Sequence, residues 1–356
     1  MTLLSCATIV ALVVVVVSVA INLSFDAKLR KYWPVPEWSV EDIPSLEGQT
    51  ALVTGANTGL GYATSLELLK HGAKVIVATR SEKKGIDTVK RLQAEPDLPA
   101  KYRENAIAPK VALELSSLKS VAEFAEYIKD TEPQLNMLIN NAGLNPLNFS
   151  LSEDGYELRF AVNHMAHYAL TLALVPLLEA GAPARVVVVS SLGHQFAAKD
   201  CFDFSTLNDE SKYEMMPAYG RSKLANILFA RSLARKVKDK QIYVNSAHPG
   251  FVATDFGREL VDMAAEYMSR ENAESLVKSV FGAFAMSPQD GAATQLFLAM
   301  PEVAERNITG EYYVPMARKH DSHFFALAGG ASPEALDDEL AEKLWQWTAK
   351  ETGIDL

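Results

Sequence analysis

The stretch from Thr50 to Gly61, T-A-L-V-T-G-A-N-T-G-L-G, constrains what the chain around it can fold into. A short apolar run, Ala51 to Val53, ends in three glycines, Gly55, Gly59 and Gly61. Helically spaced leucines follow at once (Leu66, Leu68, Leu69) and stop at His71-Gly72. A buried strand, a glycine turn and a helix N-terminus in this order make a phosphate cradle. Glycine lets the backbone approach the ligand, and unbonded N–H groups with the helix dipole favour an anion. An ordinary glycine-rich turn would carry the same glycines. The strand before it, the helix after it and a second strand at Lys74 to Ala78 favour the cradle and the start of a βαβ unit.

Beyond Gln49, apolar runs alternate with helical patterns. Strands are expected at Val75 to Ala78, Lys110 to Leu113, Met137 to Asn140, Arg185 to Ser190 and Ile242 to Ala247. Helices are expected at Leu118 to Lys129, Tyr156 to Leu178 and Lys223 to Val237. Near-continuous apolar strands separated by helices predict an α/β fold with a doubly wound parallel sheet covered on both faces. With 356 residues, 49% of them hydrophobic, the chain can bury the core of one large domain or two smaller ones. We assign residues 48–356 to a single catalytic domain. Gln93 to Pro109, with three prolines, reads as a loop insertion. Asp255 to Met286 is helical and rich in methionine (Met263, Met268, Met286) with Phe281 and Phe284, and reads equally as a lid over an apolar substrate or as core. Pro333 to Lys350 reads as a terminal amphipathic helix packed on the domain through Leu344, Trp345 and Trp347.

Residues 1–25 carry no charged side chain, and Ile9 to Ala20 is almost entirely Val, Ala, Leu and Ile. That run is long enough to span a bilayer as a helix. Ser18-Val19-Ala20 would suit a signal-peptide cleavage site, but there is no basic segment ahead of the apolar run, so an uncleaved anchor is the expectation. Lys28, Arg30 and Lys31 follow it and place the domain on the cytosolic side. The expected location is therefore single-pass in a membrane, that of the endoplasmic reticulum, with the catalytic domain facing the cytosol. The sequons at Asn148 and Asn307 would be glycosylated only in the opposite orientation. Residues 26–47, with Pro34, Pro36 and Pro44, read as a linker whose Trp33 and Trp38 lie at the membrane surface or pack on the domain. A net charge of −10 argues against nucleic-acid binding, and two distant cysteines, Cys6 and Cys201, fit a reducing compartment.

Tyr219 and Lys223 stand four apart, on one face of a helix. A tyrosine with pKa about 10 shuttles protons poorly at neutral pH, and a neighbouring ammonium lowers that value. The strand before them, R-V-V-V-V-S-S, ends in Ser190 and Ser191. A hydroxyl at the C-terminal end of a parallel strand faces the crevice where such sheets bind ligands, and can donate to a carbonyl. Either serine alone would serve equally well as a strand-end cap. His164, His167 and His194 read as packing residues, and no metal-ligand cluster is visible.

Gly55/Gly59/Gly61, Asn140-Asn141-Ala142-Gly143, Asn163, Ser191, Tyr219/Lys223 and Pro249-Gly250, in that order, resemble the motif set of the short-chain dehydrogenase/reductase family over Gln49 to Pro315. A-N-T-G-L-G, V-N-H-M-A-H at 162–167, S-K-L-A-N at 222–226 and H-P-G-F-V-A-T at 248–254 are similar to its membrane-anchored, retinol dehydrogenase-like branch. The resemblance implies a single Rossmann domain and a nicotinamide cofactor. The turn formed by Gly55, Asn57, Thr58, Gly59, Leu60 and Gly61 would hold that cofactor, with Asn141, Ala142 and Gly143, Pro249 and Gly250, Val252 and Thr254 contributing. Tyr219 would be the general acid/base, Lys223 would lower its pKa and hold the ribose, Ser191 (the second of the pair) would orient the substrate oxygen, and Asn163 would support a relay water. Arg80, after the second strand, suits a 2′-phosphate and points to NADP(H), although an arginine there can also be merely solvated. Glu114-Leu115 stands where the family often has Asp-Leu beside the adenine. Tyr219 lies 28 residues after Ser191, a longer gap than the family minimum, so Gly193 to Ala218 is expected to shape the substrate side.

The implied activity is interconversion of a lipophilic aldehyde or ketone (retinal-like, steroid, fatty or specialised-metabolite) and its alcohol, with reduction the expected direction. Two rivals remain open: reduction of a C=C bond, and a non-catalytic NADP(H)-sensing scaffold. A homo-oligomer is compatible with the sequence.

Overall fold

The β-branched runs form the strands. In the computed structural model, which describes residues 38–356 apart from 147, 199, 253–260, 263, 266–267, 316 and 320–329, eight strands make one sheet. They are β1 (Thr50–Thr54), β2 (Lys74–Ala78), β3 (Ala106–Ile107), β4 (Met137–Asn140), β5 (Ala184–Val189), β6 (Ile242–Ala247), β7 (Tyr312–Val314) and β8 (Arg318–Lys319). The order is β3-β2-β1-β4-β5-β6-β7-β8, parallel except for the antiparallel β7–β8 pair. The main helices are α1 (Gly59–Lys70), α2 (Glu82–Gln93), α3 (Leu118–Thr131), α4 (Ala166–Ala173), α5 (Met215–Lys236), α6 (Arg270–Phe284), α7 (Pro288–Ala299) and α8 (Asp338–Thr352).

β1, β4 and β5 are buried along their whole length. Alternate residues feed two separate cores. Leu52, Ile76, Leu138, Val186 and Val188 face Phe124, Leu170, Phe229 and Trp345 on one side. Ala51, Val53, Val75, Val77, Ile139 and Val187 face Leu68, Leu69, Leu296 and Phe297 on the other. Each valine, leucine, isoleucine or phenylalanine among them contributes roughly 1.5–3 kcal/mol of burial. The parallel sheet covered by helices on both faces is the Rossmann-like fold expected from the alternating pattern. After β3 the chain crosses to the other side of β1, so the strand order reverses between β1 and β4. Sheets of this kind bind ligands outside that switch point.

Four local expectations change. The third strand is Ala106–Ile107, paired with Val75 and Ile76, and not Lys110 to Leu113. Pro109 ends it, lacking an N–H for the ladder, and Leu113 instead donates to the Thr79 carbonyl beyond the end of β2 (2.9 Å). The presumed loop 93–109 holds a 3₁₀ turn, Ala100–Asn105, leading into that strand. The single helix expected over 156–178 is broken: a π-helical segment, Ala161–Met165, precedes α4, and a new helix, Val175–Ala180, starts with Pro176 in its first turn. α5 begins at Met215, two turns before Lys223, because Pro217 falls in its first turn, where a missing N–H costs little.

The proposed anchor, residues 1–25, and Trp33 lie outside the described residues; among those described, no helix is long and apolar enough to cross a membrane. Within the stretch read as linker, Trp38, Ile43 and Leu46 are buried, and Trp38 packs edge-on against Phe297 at 5.6 Å. Trp38 is thus part of the domain. In the 255–286 stretch, α6 exposes Leu276 while burying Ala273, and Met286 folds back beside Gly250. The terminal helix α8 docks through Trp345, 5.0 Å from Tyr168, and Trp347, stacked on Phe204 at 4.2 Å.

Candidate active site

The C-terminal ends of β1, β4, β5 and β6 deliver the motif residues to one crevice. After β1, Gly55 adopts φ +66°, and a Cβ on Gly61 would lie 2.6 Å from Asn141 Nδ2, so helix and loop meet at a distance only glycine allows. Thr58 caps α1 without a side-chain hydrogen bond, which leaves first-turn N–H groups facing the crevice. The carbonyl of Asn57 accepts from Arg91 at 3.0 Å. This cradle and open helix end fit a dinucleotide's phosphates.

Opposite, Asn141 and Ala142 both donate their N–H to Thr54 Oγ1 (2.9 Å each), and Asn141 Nδ2 donates to the Thr54 carbonyl (2.8 Å). Gly143 sits against Asn163 and Lys223: a Cβ there would be 3.3 Å from Asn163 Oδ1 and 3.4 Å from Lys223 Nζ. Asn163 Oδ1 accepts from Leu144 N (2.9 Å), and its Nδ2 donates to the Leu144 carbonyl and to Ser222 Oγ (3.1 Å each).

Ser190 and Ser191 take different roles. Ser190 is buried and its hydroxyl donates to the Lys223 carbonyl (2.7 Å), tying β5 to α5. Ser191 caps a 3₁₀ turn, Leu192–Phe196, its Oγ accepting from Gly193 N at 3.0 Å. That bond uses a lone pair and leaves the Ser191 hydrogen for a ligand. Tyr219, half-buried, lays its ring edge on Gly193: a Cβ there would lie 2.8 Å from Tyr219 Cδ1 and 3.4 Å from Ser191 Oγ. Lys223 is buried with its Nζ donating to the Val189 carbonyl (3.2 Å), and burial lowers its pKa to about 8. The structure therefore brings Ser191, Tyr219, Lys223 and Asn163 into one cluster.

The remaining residues border it. Arg80 is exposed just beyond β2 and bonds to none of the described residues. Glu114 spends Oε1 on its own turn, accepting from Ser116 N (3.0 Å) and Ser116 Oγ (2.9 Å), and Leu115 is buried in the core. Pro249 and Gly250 follow β6, with Gly250 against Met286 and Pro315; Leu60 and Val252 meet at Gly291. Thr254 lies outside the described residues.

Several residues escape a reading by motif alone. Gly193 lies in a stretch read only as an insertion, yet it sets the Ser191–Tyr219 approach. His194 is buried: its Nε2 accepts from Ser332 N (3.0 Å), so Nδ1 carries the hydrogen and donates to the Ser191 carbonyl (2.7 Å). Tyr312, from β7, packs against His194 at 5.3 Å. His164 donates from Nε2 to Thr348 Oγ1 (3.0 Å), which itself donates to Leu344 O. Burial lowers the pKa of His164 to about 3 and that of His248 to about 3.

A phosphate cradle and a Ser–Tyr–Lys cluster on either side of one switch-point crevice define a dinucleotide-dependent oxidoreductase. The family model described as enoyl-(acyl carrier protein) reductase matches residues 55–314. Human retinol dehydrogenase 14 is 36% identical over 320 residues, covering 87% of this chain and 88% of that protein. Human retinol dehydrogenase 12 is 33% identical, covering 87% and 88% respectively. Among solved structures, the RhlG/NADP complex of Pseudomonas aeruginosa aligns with TM-score 0.56 and 28% identity over 76% of this chain and 95% of its own. The chain belongs to the short-chain dehydrogenase/reductase family, in its retinol dehydrogenase-like branch.

Proposed function

We propose that this protein is an NADP(H)-dependent reductase of lipophilic aldehydes or ketones, carried at a membrane by residues 1–25. The meeting of Tyr219 and Ser191 at Gly193, with buried Lys223 one turn further along α5 and its Nζ beside Gly143, carries this reading. When bound, a nicotinamide cofactor would supply the hydride. Ser191 donates its free hydrogen to the substrate oxygen and orients it. As the C=O π bond breaks and a C–H bond forms, Tyr219 gives its phenolic proton to that oxygen, yielding the alcohol. Lys223 stabilises the phenolate that remains, most effectively while it is protonated, below pH about 8. Asn163 holds the Leu144 backbone and the Ser222 hydroxyl, fixing the floor between nucleotide and tyrosine. Arg80, exposed and unengaged by the described residues, supports recognition of a 2′-phosphate. Its geometry suits an anion that arrives from solvent.

A second reading, reduction of an activated C=C bond, is favoured by the name of the matching family model. The full-length protein, tested with NADPH or NADH against retinoid, steroid, long-chain, aromatic and enone substrates, separates the readings. Expected is NADPH-preferring carbonyl reduction that is abolished in Tyr219→Phe. Enone turnover without carbonyl turnover selects the second reading. Tight nucleotide binding with no turnover selects the scaffold, and NADH preference refutes the role of Arg80. Loss of membrane binding on deleting residues 1–25 tests the anchor.

A further inference from the structure

His167, in α4, is used by no step above, yet it joins both halves of the crevice. Its Nδ1 lies 3.1 Å from the Asn163 carbonyl and its Nε2 lies 3.0 Å from Thr54 Oγ1. The carbonyl can only accept, so Nδ1 carries the hydrogen and Nε2 is the lone pair that takes the Thr54 hydroxyl hydrogen. The alternative acceptor for that hydroxyl, the Ile139 carbonyl, is farther away at 3.4 Å. Thr54 Oγ1 in turn accepts the N–H groups of Asn141 and Ala142. On the other side, Asn163 Nδ2 donates to Ser222 Oγ (3.1 Å), and Ser222 donates to the Tyr219 carbonyl (2.9 Å). Both hydroxyls in this chain, those of Thr54 and Ser222, are used as donor and as acceptor. Thr54, Asn163, His167 and Ser222 are all fully buried, so water cannot substitute for a missing link.

We propose that His167 is a positioning residue that ties the Asn141–Gly143 loop, through Thr54, to the Asn163 backbone, so that the nucleotide side and the tyrosine side of the crevice keep one register. The inference rests on the crevice being the nucleotide and carbonyl site. It requires a neutral imidazole of one tautomer. Burial together with the Lys223 ammonium provides the first, lowering the His167 pKa to about 4 despite the opposing bond to Asn163. The carbonyl partner provides the second. The π-helical segment that ends at Met165 sets the phase of this helix, with Ala166 N–H bonding the Ala161 carbonyl five residues back. Such segments commonly mark functional positions.

The test uses two half-links. His167→Asn keeps a donor near Nδ1 and cannot reach Thr54, while His167→Gln reaches Thr54 and cannot bond Asn163. Histidine-selective ¹⁵N NMR of the full-length protein should show His167 neutral and Nδ1-protonated from about pH 5.5 to 8, with its Nε2 resonance moved by Thr54→Val. Both half-link variants should lose about tenfold in kcat with the carbonyl KM changed less than about twofold. Thr54→Val should match them, Thr54→Ser should lose less, and Thr54→Val with His167→Asn should be no worse than either alone. An Nε2-protonated ring, titration near the ordinary histidine value, or additive losses that track only melting temperature would overturn the proposal. Failure of the whole carbonyl panel would sink the function alone, because the NMR arm still decides the role of His167.

Discussion

Replacing Lys223 by methionine should abolish catalysis and stabilise the fold. Lys223 is only 5% exposed, and among the described residues no carboxylate pairs with it. Among the described residues its ammonium donates to the Val189 carbonyl alone, which also accepts from Asn226 Nδ2 at 3.0 Å and so would not be orphaned. Lowering the lysine pKa from 10.5 to about 8 by burial corresponds to about 3 kcal/mol of destabilisation at neutral pH. The lost hydrogen bond returns about 1 kcal/mol, and methionine fills a similar volume. The expected net gain is about 2 kcal/mol, or a melting temperature higher by about 4 °C, alongside a fall of at least about 100-fold in kcat.

The sign of the pH dependence makes the test sharp. Between pH about 8 and 10.5 the unfolded lysine holds a proton that the folded one has released, so wild-type stability rises with pH across that window. The methionine variant has no such group. Its advantage should be full below pH about 8 and shrink as pH climbs toward 10.5. Urea midpoints for both proteins across that range measure it. A variant less stable than wild type at pH 7, or an advantage independent of pH, would refute the account of Lys223 as a charged group held in the core for catalysis.

Gly193→Ala would place a methyl 2.8 Å from Tyr219 Cδ1. We expect kcat to fall about tenfold with nucleotide affinity kept, read by turnover and NADPH fluorescence titration. His164, His167 and His248 have pKa values lowered to about 3, 4 and 3 by burial. Below about pH 6.5 the unfolded chain takes up protons that the folded one refuses, so stability should drop on acidification, with a limiting slope of about 4 kcal/mol per pH unit. A flat urea midpoint between pH about 6.5 and 4.5 would contradict the neutral, buried histidines. Trp345→Ala removes a ring packed 5.0 Å from Tyr168 and 6.1 Å from Phe229 and should cost about 3–5 kcal/mol in chemical denaturation.

Much of the sheet was legible because period and composition decide a strand buried on both faces. Thr50 to Val53, Val75 to Ala78, Met137 to Asn140 and Ile242 to Ala247 are apolar runs with turn residues at their ends, and no helix would leave them in that spacing. The third strand is hard to place from sequence because Val111 to Leu113 and Ala106–Ile107 are both short apolar runs. Only the pairing with Val75 and Ile76, which a single chain does not display, separates them. The sequence suggests one long helix over 156–178 because apolar residues continue on both sides of Pro176. The break comes from Pro176, which has no N–H and would clash with the carbonyl four residues earlier. Trp38 illustrates another limit: a tryptophan among prolines reads as interfacial or packed alike, and only the presence of Phe297 at 5.6 Å decides it.

The crevice divides along the same line. Its nucleotide half is built by backbone: a positive-φ turn at Gly55, an open helix end at Thr58 and a loop held by Thr54. The turn and the helix end are written locally, so the glycine spacing reports them, while the loop held by Thr54 comes from far along the chain and is reported by its own motif. The half proposed for the carbonyl is built by side chains from remote segments. Gly193 meets Tyr219 across an insertion, His194 reaches Ser332, Tyr312 arrives from β7, and Met286 with Pro315 closes on Gly250. None of these pairs has a fixed offset, because tertiary packing decides which turn lands on which. Substrate choice should therefore follow these long-range contacts. Exchanging Met286, which lies against Gly250 at the edge shared with the proposed nucleotide site, should shift the preferred carbonyl while the preference for NADPH over NADH stays, since that preference is assigned to Arg80, beyond β2 on the other side of β4.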